Sequence, residues 1–183
     1  MTRPIYLDHH ATTPLDPEVL DAMMPYLTEH FGNASSSEHA FGWRAEEAVE
    51  VARAQVAELV GCSPREIVFL SGATEANNLA IRGVMEAYAS KGRHVVTQAT
   101  EHPAVLDVCR KWESSGGELT VLPVDSKGLV RPEELAASLR DDTVLVSIMA
   151  ANNEVGALQP IEEMSSLARE RGALFHSDMA QVL

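Results

Sequence analysis

The sequence predicts an α/β fold, in which a mostly parallel sheet is flanked by helices. Short apolar runs of strand length alternate with segments of helical periodicity along most of the chain. Glycine or proline marks the boundary of most of these segments. The 183 residues, 45% of them hydrophobic, suit one domain with a substantial core.

Two helices are predicted before the first strand. Asp16 suits an N-cap and Pro17 suits the first helical position, and an apolar stripe then continues until Gly32 stops it. The second helix, residues 45–60, carries apolar residues at helical spacing and ends before Gly61.

Five apolar runs are predicted strands, and four helical segments separate them. The strands are Ile67–Leu70, His94–Thr97, Leu119–Val124, Val144–Met149 and Ala173–Phe175. The helices are Glu75–Lys91, Pro103–Glu113, Pro132–Leu139 and Ile161–Arg171. Two of these helices begin at a proline and the other two end before a glycine, as helices commonly do.

The strict alternation of strand and helix is typical of parallel strands joined by crossover helices. In such sheets, ligands bind outside the carboxyl ends of the strands. The residues that directly follow the predicted strands are therefore the first candidates for function.

The composition restricts the classes of partner. The formal charge is −13, from 27 acids against 14 Lys and Arg, which argues against nucleic acid or an anionic membrane as the main partner. Cys62 and Cys109 show no pairing pattern and fit a reducing compartment. Residues 1–16 lack the features of a signal peptide, and no apolar stretch approaches membrane-spanning length, so we expect a cytoplasmic protein.

Four predicted strands are followed by groups that could hold a ligand. Ser71–Glu75 follows the first strand, and its small residues and helix-start N–H groups suit an anion such as phosphate. His102 follows the second and could stack on a flat ring or move a proton. Asn152–Asn153 follows the fourth strand, and Asp178 and Gln181 follow the last.

Each of these groups also has a structural interpretation. Thr74 could be the N-cap of an ordinary helix, with Glu75 near the positive end of the helix dipole. His102 could be a capping or surface histidine, and the two asparagines could form a turn. A buried carboxylate such as Asp178 is costly unless a helix N-terminus or a cation meets it. Together, the four groups suit a planar, phosphorylated, cationic heterocycle.

Six motifs occur in order between Ile5 and Gln181. They are YLDHHATTP, FGNASSSEHAFGWRAEEAV, PREIVFLSGATEANNLAI, TEHPAVLD, DDTVLVSIMAANNEVG and HSDMAQ. They resemble successive motifs of the cysteine desulfurases, pyridoxal 5'-phosphate (PLP) enzymes of the class V aminotransferase group with fold type I. The resemblance implies a partial large domain of that fold at residues 16–183, preceded by an N-terminal arm, Met1–Leu15.

The resemblance also implies roles for individual residues. Ala73–Thr74 resembles the phosphate-binding turn of the cofactor site. His102 resembles the catalytic histidine that stacks on the pyridine ring and moves protons. Asn153 and Gln181 resemble contacts to the phenolic oxygen of PLP. Asp178 resembles the carboxylate that pairs with the pyridinium nitrogen and keeps it protonated.

For the parent activity, the resemblance implies removal of sulfur from L-cysteine to give alanine and a persulfide for iron–sulfur cluster or thio-cofactor assembly. It further implies a homodimer that passes sulfur to a scaffold or other acceptor protein. In the family, the lysine that holds PLP covalently and the cysteine that receives sulfur follow the Asp/Gln motif. This sequence reaches neither, and Cys62 and Cys109 fit structural positions, so we expect the 183-residue chain alone to be inactive.

Several alternatives stay open at this point. The chain could be a non-catalytic piece or one half of a split enzyme, or it could derive from a selenocysteine lyase or an aminotransferase of the same group. Asp8-His9-His10 could begin a metal phosphoesterase motif, and His176 with Asp178 could belong to an iron-binding triad. Neither metal hypothesis explains the GATE, TEH and NNE positions together, so we predict no metal site.

Overall fold

The structure is a computed structural model that describes residues 4–182. It divides into two compact units, Met1–Phe69 and Leu70–Leu183. The first three residues of the predicted arm Met1–Leu15, and Leu183 at the other end, lie outside the described residues. The predicted division of the chain at residue 16 stays a prediction.

The unit Met1–Phe69 contains two long helices. Helix α1, Pro17–Thr28, begins where predicted, because the Asp16 side chain accepts the Glu18 N–H at 2.8 Å. Helix α2, Ala40–Val60, begins five residues before the predicted start and ends, as predicted, before Gly61, a C-cap whose φ of 72° is left-handed. The earlier start of α2 is explained by His39, whose ring caps the helix by accepting the Gly42 N–H.

The predicted strand Ile67–Leu70 is wrong. These residues follow a 3₁₀ turn, Pro64–Glu66, and belong to none of the strands in the part of the chain that the structure describes. Val68 is 65% exposed, while the carbonyl of Ile67 accepts a hydrogen bond from Arg53. An apolar run has the propensity for a strand, but it becomes one only when another strand supplies ladder hydrogen bonds.

The unit Leu70–Leu183 contains the sheet. Its strands are β1 (His94–Gln98), β2 (Glu118–Leu122), β3 (Thr143–Ser147) and β4 (Leu174–His176). They pair in the order β2-β1-β3-β4, and every pair is parallel. The prediction of a mostly parallel sheet is confirmed.

Four helices pack on the sheet, and they cover both of its faces. They are α3 (Ala73–Ala87), α4 (Pro103–Ser114), α5 (Pro132–Ser138) and α6 (Ile161–Glu170). Val95 packs in one core cluster with residues of α3 and α4, and its neighbour Val96 packs in another with residues of α5 and α6. Successive strand residues point to opposite faces, so the two clusters lie on opposite sides of the sheet. Both faces are covered, and every residue of β1 and of β3 is buried.

No helix in residues 4–182 is long and apolar enough to cross a membrane. Cys109 is fully buried in the cluster that contains Val95, as expected of a structural cysteine. Cys62 is partly exposed and follows the end of α2.

Candidate functional site

The carboxyl ends of β1 and β3 form a topological switch point. The chain leaves β1 towards α4 on one face of the sheet, and it leaves β3 towards α6 on the other face. Because the two connections separate, a crevice opens between them at this edge, which is where parallel α/β sheets bind ligands. Most of the residues predicted for the site follow β1, β3 or β4 at this edge.

The amino end of α3 carries Ala73 and Thr74. Gly72 is the N-cap and offers no side-chain hydrogen bond, so the interpretation of Thr74 as the N-cap is wrong. Glu75 does not cap the helix either, because its carboxylate accepts the backbone N–H and hydroxyl of Ser71 at 2.8 and 2.6 Å. These two bonds lower the pKa of Glu75. The first N–H groups of α3 therefore lack a side-chain cap, which suits the binding of an anion.

His102 is the N-cap of α4. Its Nδ1 accepts the N–H of Ala104 at 3.1 Å, so the neutral ring carries its proton on Nε2. The ring is exposed, and it lines the same groove between α3 and α4 as Thr74, a groove of about 670 Å³. The structure thus brings a predicted ring-stacking residue and a predicted phosphate-binding residue to one surface.

Asp178 is buried after β4, with only 7% of its surface exposed. Its Oδ2 accepts a hydrogen bond from Nδ2 of Asn77 at 2.8 Å, and its Oδ1 accepts the N–H of Ala180 at 3.0 Å. The backbone carbonyl of Asp178 also accepts the N–H of Ala150, which extends the pairing of β3 with β4 beyond the strands. The carboxylate is therefore fixed in direction by two donors.

Sequence reasoning missed Asn77. A signal was available, since Asn77, Ile81 and Met85 recur at a spacing of four residues and form the buried side of α3. A polar residue in an apolar stripe requires a buried hydrogen-bonding partner. Asp178 is that partner, although 101 residues separate the two in sequence.

Glu101 was also missed. It is 5% exposed, and its Oε1 accepts the backbone N–H of Met149 at 2.5 Å. Burial raises the pKa of Glu101 to about 8, and the negative charge of Asp178 adds to this rise, against the opposing effects of the Met149 N–H and Gln98. The signal in the sequence was an acid placed three residues beyond the end of β1, next to His102.

The two asparagines after β3 have different environments. Asn152 is buried, and its Nδ2 donates to the carbonyl of Thr100 while its Oδ1 accepts the N–H groups of Glu154 and Val155. It therefore ties together the loops that follow β1 and β3. Asn153 is partly exposed at the same edge, and Gln181 is exposed in the turn that follows Asp178.

Several buried polar atoms at this edge lack a hydrogen-bond partner among the residues that the structure describes. Among them are both amide atoms of Gln98, the hydroxyl oxygens of Thr100 and Ser177, and the Oε2 of Glu101. Buried polar groups are normally satisfied by protein, water or ligand. Together with the buried carboxylate and the uncapped helix, these atoms form a donor and acceptor set that fits PLP, a ring with an anionic group at one end and a protonated nitrogen.

The residues of the two metal hypotheses have other partners or positions. His176 shares a hydrogen bond with Ser147 at 2.9 Å, and burial lowers the pKa of His176 against the opposing charge of Asp178. Asp8, His9 and His10 lie in the other unit. Within residues 4–182, no group of three or more His, Cys, Asp or Glu side chains is arranged to hold a metal ion.

Comparison with known proteins gives consistent matches. The aminotransferase class-V family model matches residues 5–183. A cysteine desulfurase IscS of Anaeromyxobacter sp. (strain Fw109-5) is 58% identical over 99% of this chain. The match covers 45% of that relative, so the chain spans less than half the length of the curated relative.

Solved structures agree with this result. A NifS-like protein superposes with a TM-score of 0.94 and 40% identity, over 98% of this chain and 50% of that one. A structure described as SspA in complex with cysteine gives a TM-score of 0.92 and 37% identity, over 97% of this chain and 51% of that one. The fold described above is therefore shared with about half of each of these proteins.

Proposed function

The chain belongs to the aminotransferase class-V family, and on that premise we propose that its protein is a PLP-dependent cysteine desulfurase. The observation that carries the proposal is the buried Asp178 carboxylate, held by two donors at the same sheet edge as His102. A carboxylate in that position suits a protonated ring nitrogen.

The described residues have distinct roles in this proposal. The backbone N–H groups at Ala73–Thr74 bind the phosphate, since no side chain caps the start of α3. Asp178 holds the proton on the ring nitrogen, and His102 stacks on the ring with the Nε2–H available for proton transfer. Asn153 and Gln181 contact the phenolic oxygen. When bound, PLP supplies the electron sink for chemistry at the carbon atoms of the amino acid.

The proposed substrate is L-cysteine, and the products are alanine and a persulfide. The names of the relatives support this substrate, as does the solved complex of SspA with cysteine. We further propose a cytoplasmic homodimer that passes sulfur to a scaffold or acceptor protein for iron–sulfur cluster or thio-cofactor assembly. The reducing compartment inferred from Cys62 and Cys109 supports the cytoplasmic location.

The experiment is a comparison of wild type with Asp178→Asn in the native protein purified from its own gene. We expect the wild type to bind PLP and to form alanine and sulfide from L-cysteine in the presence of a thiol. Asp178→Asn should retain PLP but lose most of the turnover. Asp141→Asn, at an exposed turn before β3, is the matched control.

The products separate this proposal from its alternatives. Transamination of cysteine would release a 2-oxo acid instead of alanine. A selenocysteine lyase would form alanine from selenocysteine and little from cysteine. Desulfurase turnover by Asp178→Asn within a few-fold of wild type would remove Asp178 from its proposed role.

A further inference from the structure

We propose that Asn77 is a positioning residue, which fixes the Asp178 carboxylate for the cofactor ring without neutralising its charge. This inference rests on the proposed function and assigns a role to a residue that the sequence motifs alone did not single out. It starts from one contact, the hydrogen bond of 2.8 Å from Nδ2 of Asn77 to Oδ2 of Asp178.

The contact is buried at both ends. Asn77 is 5% exposed and Asp178 is 7% exposed, so water has little access to replace the bond. The Ala180 N–H occupies the other oxygen, Oδ1, at 3.0 Å. Each carboxylate oxygen thus has one fixed donor, and the plane of the carboxylate is set by α3 on one side and by its own turn on the other. Each oxygen keeps a further lone pair for a ligand.

The choice of an amide matters because it is a donor without a charge. Among the ion pairs of residues 4–182, none includes Asp178, so no Lys or Arg cancels its charge. Hydrogen bonds to a carboxylate favour its charged form. Asn77 therefore stabilises the anion and leaves its charge free to attract a protonated ring nitrogen.

The neighbouring acid makes such a donor more important. The negative charge of Asp178 acts on two neighbouring titratable groups, Glu101 and His176, and favours the protonated form of each. Two carboxyl groups that share a buried site compete for ionisation. A donor on Asp178, with Glu101 held at the Met149 N–H, keeps the two carboxyl groups in separate, fixed positions.

The position of Asn77 on α3 adds a geometric link. It lies three residues after Thr74, close to the helix end where the phosphate is proposed to bind. One rigid helix therefore places both the phosphate-binding N–H groups and the donor that aligns Asp178. A shift of α3 would move the two ends of the cofactor site together.

The test uses the native holoprotein with the variants Asn77→Ala and Asn77→Asp. Gln159→Ala is the matched control, because Gln159 is also a buried amide, 7% exposed, with bonds to Gly128 and Val130. The readouts are PLP affinity by equilibrium dialysis, the pH profile of the visible absorption of bound PLP, kcat and KM, and thermal stability.

For Asn77→Ala we expect a shifted absorption pH profile and a loss of about tenfold to a hundredfold in kcat, with a smaller change in KM. Asn77→Asp keeps the side-chain shape but places a second carboxyl against Asp178, so it should shift the absorption profile as well. If Asn77→Ala does not fold, Asn77→Asp still tests the proposal. Gln159→Ala should lower stability and leave the absorption profile unchanged.

The outcomes separate this inference from the function on which it rests. A wild-type protein that binds no PLP would overturn the proposed function. A wild-type protein that binds PLP, with Asn77 variants that change stability alone and keep the wild-type absorption profile and kcat, would overturn the role of Asn77 and leave the proposed function intact.

Discussion

The carboxyl group of Glu101 accepts the backbone N–H of Met149 at 2.5 Å, and so connects the loop after β1 to the end of β3. Only 5% of Glu101 is exposed, and its second oxygen lacks a partner among the described residues. An ionised carboxylate in this position would be poorly solvated, which is why the pKa rises to about 8. Burial therefore favours a neutral acid beside the proposed cofactor site, although the Met149 N–H on its own favours the charged form.

Glu101 should make the protein less stable as the pH rises. Its pKa is about 8 in the folded state against an ordinary value of 4.5, so below pH 4.5 the group is protonated in both states. Between pH 4.5 and 8 the unfolded chain loses the proton and the folded chain keeps it, so the free energy of unfolding falls. The full effect is on the order of a few kcal/mol.

Substitution Glu101→Gln should remove this slope, because the amide oxygen can still accept the Met149 N–H and carries no charge. Urea unfolding across this pH range measures the effect, and we expect the variant to be more stable than wild type at pH 8. Glu154→Gln, at an exposed position, is the control. If the free energy of unfolding fell equally with pH in wild type and in Glu101→Gln, the prediction would be contradicted.

His94 should give a dependence of the opposite sign. Its Nδ1 contacts the Thr143 hydroxyl and its Nε2 the Thr120 hydroxyl, both at 2.8 Å, so one buried ring joins three strands. Burial and then Arg140 lower the pKa of His94 below 6.5, while Asp142 and Glu118 oppose them. As the pH falls through 6.5, His94 becomes protonated in the unfolded chain but stays neutral in the folded chain. The free energy of unfolding therefore decreases.

The variant His94→Gln should weaken this acid dependence and destabilise the protein by about 1–3 kcal/mol, because the buried Thr143 hydroxyl and the partly buried Thr120 hydroxyl each lose a hydrogen bond to the ring. Unfolding of His94→Gln, Thr143→Val and the double variant forms a double-mutant cycle. We expect the two changes to be non-additive. Additive effects would show that the ring and the Thr143 hydroxyl do not interact.

The sequence predicted most of the sheet. Strand β3 begins one residue before its predicted start, and β4 is displaced by one residue from its predicted position. These strands could be predicted because apolar runs of strand length alternate strictly with helices. The same rule failed at Ile67–Leu70, where an equally apolar run has no partner strand in the described part of the chain. Local composition reports propensity, whereas a strand depends on a second segment elsewhere in the chain.

The site shows the same limit. His102 could be placed from the sequence, because it directly precedes a proline that starts a helix. The Asn77–Asp178 bond could not, since it joins segments 101 residues apart and depends on how α3 packs on the sheet. The burial that perturbs Glu101 is likewise a property of the packed sheet edge and of no local motif.

Two glycines should respond in opposite ways to alanine. A Cβ at Gly92 would lie 2.1 Å from the carbonyl oxygen of Asp142, whereas a Cβ at Gly83, exposed within α3, would meet nothing within 4 Å. Gly83→Ala should stabilise the protein by about 0.5–1 kcal/mol, because glycine is a poor helix former. Gly92→Ala should destabilise it by about 1–3 kcal/mol, since backbone must move. Equal denaturation midpoints for the two variants would contradict this assignment.

The three lysines of the sequence should not hold PLP covalently. Lys91 donates to the carbonyl of Gly172 at 2.6 Å. Lys91 precedes β1 and Gly172 precedes β4, so this contact lies at the amino ends of the strands, opposite the proposed site. Lys111 lines the groove between α3 and α4, but nine residues of helix place it about 13 Å along α4 from His102.

Lys127 lies in an exposed turn after β2, where its backbone N–H bonds the Asp125 carboxylate. Strand β2 lies at the edge of the sheet, and β1 lies between β2 and β3. The turn that contains Lys127 therefore follows a strand that is not part of the β1–β3 switch point. A covalent bond to PLP requires an amine within reach of the cofactor aldehyde.

We therefore expect the 183-residue chain, incubated with PLP and reduced with borohydride, to carry scattered and substoichiometric adducts on peptide mapping. It should show no turnover of L-cysteine, and PLP should be lost on dialysis. Lys127→Arg should leave the labelling of the other lysines and the lack of turnover unchanged. A single stoichiometric adduct on Lys127, accompanied by release of sulfide from cysteine, would show that this turn reaches the cofactor and that the site is complete in this chain.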